Sequence, residues 1–173
     1  MMAHPGKKLT FMGTEFAQFR EWNFADSLEW FMLDYPKHRD TQNFVRALNK
    51  FYKRNKTMHQ IDFDWQGFEW IIPDDSVQNV LAFKRKDNDG NELICVFNLG
   101  DVERVDYKVG VDEGKYRVVF NSDCVEYGGE GRRYKKTVRA QEFALHGKEH
   151  SISLVLPPLT ALFLKKSVVR KVK

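Results

Sequence analysis

Val80-Leu81-Ala82-Phe83-Lys84-Arg85-Lys86, then Asp87-Asn88-Asp89-Gly90-Asn91, then Glu92-Leu93-Ile94-Cys95-Val96-Phe97-Asn98-Leu99 is the stretch that decides the fold of this 173-residue chain. Two apolar runs of strand length flank a cluster of turn formers containing an Asp-Gly pair, which is the pattern of a β-hairpin. The same period of two runs outward on both sides. Residues 68–72 read as a strand closed by the turn Pro73-Asp74-Asp75-Ser76. Downstream, Val105, Tyr107, Val109 and Val111 alternate, as do Tyr116, Val118 and Phe120, and then Ile152, Leu154 and Leu156. Pro157-Pro158 punctuates the chain before a last apolar run over 159–164, and Gly128-Gly129-Glu130-Gly131 reads as a loop. Seven or eight short strands at this spacing predict a mainly β protein, an antiparallel β-sandwich occupying residues 58–173.

Residues 1–57 follow a different pattern. Residues 8–13 form a brief apolar run that ends at Gly13, as a buried strand would. Asp26-Ser27-Leu28-Glu29 offers a capping box for a short helix. Asp40-Thr41 opens a longer helix, with Phe44, Leu48, Phe51 and Tyr52 on one stripe and a fraying end at Lys53-Arg54-Asn55-Lys56. One strand and one amphipathic helix cannot build a core of their own. Residues 1–57 therefore read as the closing end of a larger domain.

Composition removes several function classes. Hydrophobic residues make up 42% and charged residues 30%, a globular balance. No apolar run reaches the ~18 residues a membrane span requires, so no membrane partner is expected. The first residues lack an apolar h-region, and Cys95 and Cys124 are the only cysteines; together these predict reduced thiols in a cytoplasmic protein. The net charge of +4 belongs to the tail over 165–173, which holds five basic residues and no acid. Without it, 23 bases face 24 acids, and no basic stripe interleaved with aromatics supports a nucleic-acid partner.

Few motifs carry chemistry. His146-Gly147-Lys148-Glu149-His150 spells an inverted zinc-protease motif, but that chemistry needs both imidazoles on one helix face. Here the segment contains a glycine and runs into an alternating strand, so a polar loop is expected. The turn at Asp87 lacks the spacing and the distant Glu of a calcium loop. No metal site and no cofactor are expected. If residues 9–13 end a strand of a parallel barrel, residues 14–22 sit at its C-terminal mouth, where Glu15, Gln18 and Trp22 could meet a substrate.

Met1-Met2-Ala3-His4-Pro5-Gly6-Lys7-Lys8, Phe11-Met12-Gly13-Thr14-Glu15-Phe16-Ala17-Gln18 and Arg20-Glu21-Trp22-Asn23 resemble the C-terminal part of the bacterial glycogen branching enzymes. Asp62-Phe63-Asp64, Gly67-Phe68-Glu69-Trp70, Asn121-Ser122-Asp123, His146-Gly147 and Ser151-Ile152-Ser153-Leu154-Val155-Leu156-Pro157-Pro158 continue the likeness in order. Phe19 departs from it, at a place where the family often carries glycine.

The family is similar to the α-amylases, a (β/α)8 barrel followed by a β-sandwich. The resemblance implies that residues 9–13 are the last barrel strand, residues 41–56 the last barrel helix, and the rest the sandwich. It also implies an enzyme that cleaves α-1,4-glucan, holds the donor covalently on a carboxylate and passes it to a 6-hydroxyl. The three catalytic carboxylates would lie on earlier barrel strands, so no catalytic residue is expected in this chain. The partner implied is an α-glucan, either glycogen or maltooligosaccharide. On the sandwich, Trp65, Trp70 and Tyr127, outside the regular alternation, are the candidates for an aromatic platform beneath it; the alternatives to an enzyme fragment are a free-standing glucan-binding β-sandwich and a purely structural one. Without the rest of a barrel, residues 1–57 are expected either to fold back on the sandwich or, the favoured alternative, to pair with a second copy in a homodimer.

Overall fold

The hairpin at Asp87 forms where the sequence places it. In this computed structural model, which describes residues 1–167, strands β2 (Val80–Lys86) and β3 (Glu92–Asn98) pair antiparallel from Val80 with Asn98 to Lys86 with Glu92. The Asp87 carboxylate accepts the backbone N–H groups of Asp89 and Asn91, and Gly90 takes the left-handed conformation (φ 76°) that closes the loop without strain.

Seven further strands complete the sandwich: β1 (Phe68–Asp75), β4 (Arg104–Val111), β5 (Lys115–Asn121), β6 (Thr137–Arg139), β7 (Gln141–Leu145), β8 (Lys148–Leu156) and β9 (Thr160–Lys166). They form a six-stranded sheet, β1-β2-β3-β9-β5-β6, facing a three-stranded one, β4-β8-β7. Ile72, Val80, Ala82, Ile94, Val96, Leu162 and Leu164 meet Val109, Val111, Ile152, Leu154 and Leu156 between the sheets. Asn98 ties the top of this core together. Its side-chain amide donates to the carbonyls of Val102, Leu156 and Pro157, and its carbonyl accepts from Gly100 N–H.

Several expectations are corrected. β1 continues through Pro73 to Asp75; a proline is tolerated there because β1 is an edge strand and its register shifts between Ile72 and Asp75. The alternations in β4 and β5 are each broken by a bulge. In β5 the shift falls between Val118 and Phe120, so Val118 packs between the sheets while Val119 and Phe120 face outward. In β4 it falls between Arg104 and Tyr107, leaving Val105 exposed. Lys165 and Lys166 belong to β9 rather than to a tail, and residues 168–173 lie outside the described residues.

The outward face of the large sheet is a second core. Phe83, Leu93, Cys95, Phe120 and Phe163 line it, and the helix α1 (Pro36–Arg54) covers it with Phe44, Ala47, Leu48, Phe51 and Tyr52. Burial on both faces explains why β3 and β9 read as near-continuous apolar runs. The helix begins at Pro36, earlier than Asp40-Thr41 suggested, since proline is well placed in a first helical turn. Phe44 and Phe51 lie 6.1 and 5.3 Å from the Phe120 ring, so this part of residues 1–57 is folded back on the sandwich.

The expected strand over 8–13 does not form. Residues 9–11 are irregular, Met12 and Gly13 make a turn, and Leu9 and Phe11 are exposed. A strand without a neighbour has nothing to satisfy its N–H and C=O groups except water. The expected helix at Asp26 is also absent; the chain makes only a 3-10 turn, Trp30–Asp34. The would-be capping residues are engaged elsewhere: Asp26 pairs with Arg20 at 3.0 Å, and Glu29 accepts from the N–H groups of Phe19 and Arg20.

Candidate functional site

The three residues placed at a barrel mouth are not gathered into one site. Glu15 sits in the 3-10 turn Thr14–Phe16, beside a shallow hollow of about 320 Å³ bordered by Gln42, Arg46, Asn49 and Lys50 of α1. Gln18 is turned back on its own loop. Its amide nitrogen donates to Arg20 O at 2.9 Å and its oxygen accepts from Glu29 N at 3.3 Å. It lies close over Gly13, whose left-handed conformation (φ 78°) accounts for that glycine. Trp22 is exposed and leans on Phe11 at 5.2 Å.

The sandwich candidates fall into a clearer pattern. Trp70 on β1 meets Phe68 and Phe83 at right angles, 5.0 and 5.7 Å away, and keeps 47% of its surface exposed. From Phe83 a file of rings crosses the sheet: Phe97 at 5.4 Å, Phe163 at 6.1 Å, Phe120 at 5.4 Å and Tyr127 at 6.0 Å. Trp70 and Tyr127 are thus opposite ends of one aromatic row. Four strand spacings, roughly 20 Å, separate Trp70 on β1 from Phe120 on β5, the ring on which Tyr127 stacks, so Trp70 and Tyr127 cannot serve one sugar ring. Trp65 stands outside the row and is 82% exposed, in a 3-10 turn, Trp65–Gly67, whose Gln66 N–H is capped by the Asp64 carboxylate. Trp65 and Trp70 share the edge of the sandwich at the entry to β1.

Arg85 was not singled out from the sequence, yet it organises that edge. Its guanidinium is fully buried and donates to Gly67 O (3.2 Å), Ala3 O (2.7 Å) and the Asp62 carboxylate (2.5 Å). Lys8 approaches the same carboxylate at 3.8 Å, and burial pushes its ammonium below the ordinary lysine range. One side chain of β2 therefore fastens the chain start and the lead into β1. The available signal was its parity: Arg85 stands at the outward register of Leu81 and Phe83, where a charge demands partners.

A second ionic cluster closes one end of the sandwich. The Lys84 ammonium, nearly buried, lies 3.9 Å from Glu69, 3.0 Å from Glu92 and 3.6 Å from Asp112. Burial works to raise the Glu69 and Asp112 carboxyls, but the surrounding lysines outweigh it and both sit below the ordinary range. His146-Gly147 is the turn between β7 and β8, with Glu149 and His150 already on the β8 strand. The His146 Nδ1 accepts the Gly110 N–H at 3.1 Å, and burial holds the imidazole below its ordinary pKa. Among the described residues no group of three or more His, Cys, Asp or Glu could hold a metal ion. Burial pushes the Cys95 and Cys124 thiols upward, away from reactivity.

A further cleft, of about 410 Å³, lies between the 122–132 loop, the 158–160 turn and Asp101. Asp123 anchors the loop: its carboxylate oxygens accept Glu130 N–H at 3.0 Å and Arg132 N–H at 2.7 Å. Gly129 is obligatory here, because a Cβ would lie 2.4 Å from the Asp123 backbone. Tyr127 and Leu159 line the cleft. Of its residues, only Tyr127 was picked out from the sequence as a candidate for binding; the others come together through loops whose register no periodicity reveals.

Comparison with known proteins follows the same division. Residues 70–167 match the family model described as the alpha amylase C-terminal all-beta domain. The chain is 46% identical over 167 residues to the 1,4-alpha-glucan branching enzyme GlgB of Halothermothrix orenii, covering 95% of this chain and 26% of that protein. With GlgB of Aquifex aeolicus the identity is 47%, over the same shares. The chain thus spans about a quarter of the length of these relatives. Among solved structures, the catalytic module of the pneumococcal glycogen-degrading protein SpuA is similar, with a TM-score of 0.53 at 14% identity over 85% of this chain and 21% of that one. That likeness speaks to the fold alone.

Proposed function

Because the chain belongs to the family of alpha-amylase C-terminal all-β domains, we propose that it is the C-terminal part of a 1,4-α-glucan branching enzyme acting in the cytoplasm. The observation that carries this reading is the 46–47% identity to two branching enzymes, spread over 95% of the chain and so including residues 1–57 as well as the sandwich. In the whole enzyme, residues 9–13 would gain the neighbouring strands they lack here, and the exposed rings of residues 9–35 would be covered. α1 would stand between barrel and sandwich, its apolar stripe already committed to the sheet.

The parent enzyme would cleave an α-1,4 bond and transfer the freed chain to a 6-hydroxyl, using carboxylates on upstream strands. The role of this part is then to brace the barrel and to offer glucan an aromatic edge at Trp65 and Trp70. Each stacking ring contributes about 1 kcal/mol, so the two rings give a Kd for maltoheptaose on the order of 30 mM. Two measurements test the reading. The isolated chain incubated with amylose should leave the iodine spectrum and the reducing ends unchanged; turnover that survives repurification contradicts the assignment of catalysis upstream. Maltoheptaose should quench tryptophan fluorescence, and Trp65→Ala with Trp70→Ala should abolish the quenching.

A further inference from the structure

The cleft beside Tyr127 takes no part in the edge site at Trp65 and Trp70. We propose that it is a second binding site for an α-glucan, holding a short stretch of chain at the far end of the aromatic row. This rests on the glucan reading given above. Four observations lead to it.

Leu159 lines the cleft while 73% exposed, with a left-handed backbone (φ 49°). It follows Pro158 in a tight turn, at the position that glycine fills without strain. Strain and exposure both count against this leucine as a folding choice, and together they place an apolar side chain at the cleft mouth. Strain held at such a place points to a contact made there.

The cleft is also preorganised. Asp123 holds the loop, Ser122 ties it to β9 through Ala161 (Ser122 N–H to Ala161 O at 3.0 Å, Ala161 N–H to Ser122 Oγ at 2.8 Å), and Leu159 N–H donates to Gly100 O at 2.9 Å. A ligand entering it has little loop ordering to oppose it.

The lining selects a neutral, amphipathic ligand. Asp101, Asp123 and Glu130 outnumber Arg132, which disfavours phosphate or any other anion. Both Asp123 oxygens already accept backbone N–H groups, which disfavours a cation held by that carboxylate. What remains suits a sugar, with the exposed Asp101 carboxylate for its hydroxyls and Leu159, Pro158 and the Tyr127 ring for its C–H faces. The volume of about 410 Å³ lies within the range of small-ligand sites. Finally, the four strand spacings between Trp70 on β1 and Phe120 on β5, roughly 20 Å, make the two sites independent points of contact along one long polymer.

The test is amide-resolved NMR of the full chain titrated with maltoheptaose. Amides of Asp101, Gly128, Gly129, Glu130 and Leu159 should shift, and should still shift after Trp65→Ala with Trp70→Ala. Leu159→Gly should weaken the affinity read at those amides tenfold or more without lowering the Tm, because glycine relieves the left-handed strain. Asp101→Ala, at an exposed site, should weaken it in the same direction. Shifts confined to Trp65 and Trp70 would overturn the cleft site while leaving the glucan reading intact. No shifts anywhere would overturn both. Cleft shifts of unchanged affinity in both Leu159→Gly and Asp101→Ala would also overturn the proposal.

Discussion

Two regions of this molecule are equally rich in aromatic side chains and treat them in opposite ways. On the outward face of the large sheet, Phe83, Phe120 and Phe163 are buried under α1. Over residues 9–35, Phe16 is buried but Phe11, Phe19, Trp22, Phe24, Trp30, Phe31 and Tyr35 are exposed. The difference is one of backbone. Strands β2, β3, β9 and β5 satisfy one another's N–H and C=O groups, which fixes a flat surface for α1 to cover; residues 9–35 have only short turns. Hydrophobicity supplies a driving force, but a surface forms only where the backbone has partners.

The largest effects should fall on the buried row. Phe163→Ala removes the ring that touches Phe51, Phe97 and Phe120, and should lower stability by about 3–5 kcal/mol in chemical denaturation. Phe24→Ala, at 84% exposure, should change it by no more than about 0.5 kcal/mol. Equal losses at the two positions would break the contrast.

Arg85→Met should come next. It leaves the Asp62 carboxylate and the carbonyls of Ala3 and Gly67 without their buried donor, at a loss of about 3 kcal/mol or more. It should also release residues 1–8 to protease before the sandwich melts. The exposed pair Lys56–Asp89 serves as the control, and Lys56→Met should leave the melting curve where it was.

The smallest effect is one of pH. Burial depresses the His146 pKa in the folded state, with Asp75 acting weakly the other way. The unfolded chain therefore binds a proton more readily, so stability contributed by neutral His146 is present above its unfolded pKa of about 6.5 and is lost as pH falls through the folded value. Protonation also removes the acceptor of the Gly110 N–H. His146→Asn suits the left-handed backbone at that position (φ 50°) and cannot titrate, so it should flatten the acid limb of the stability profile. An unchanged limb would remove His146 from the account.

How much could be read in advance followed the same contrast. Strands β2, β3 and β9 were legible because apolar runs of strand length, an Asp-Gly turn and a double proline agree with the final pairing. β6 and β7 were not, being three and five residues long and mostly exposed, so that burial leaves no period in their sequence. The bulges in β4 and β5 were invisible because an inserted residue preserves apolar spelling while reversing the face. The strand over 8–13 was legible as a pattern but lacks the neighbours that would realise it. Arg85 and Leu159 matter through partners and backbone angles that composition does not encode.

Native-state hydrogen exchange on the isolated chain tests the central claim most directly, namely that the sandwich with α1 is self-sufficient and residues 9–35 are a surface prepared for a larger body. The account predicts that amides of Leu93, Cys95, Phe97, Leu162 and Leu164 exchange only through global unfolding. Those of residues 9–35 should exchange about a thousandfold faster or more. Protection over residues 9–35 equal to that of β3 and β9 would contradict it, by showing that this segment is already complete.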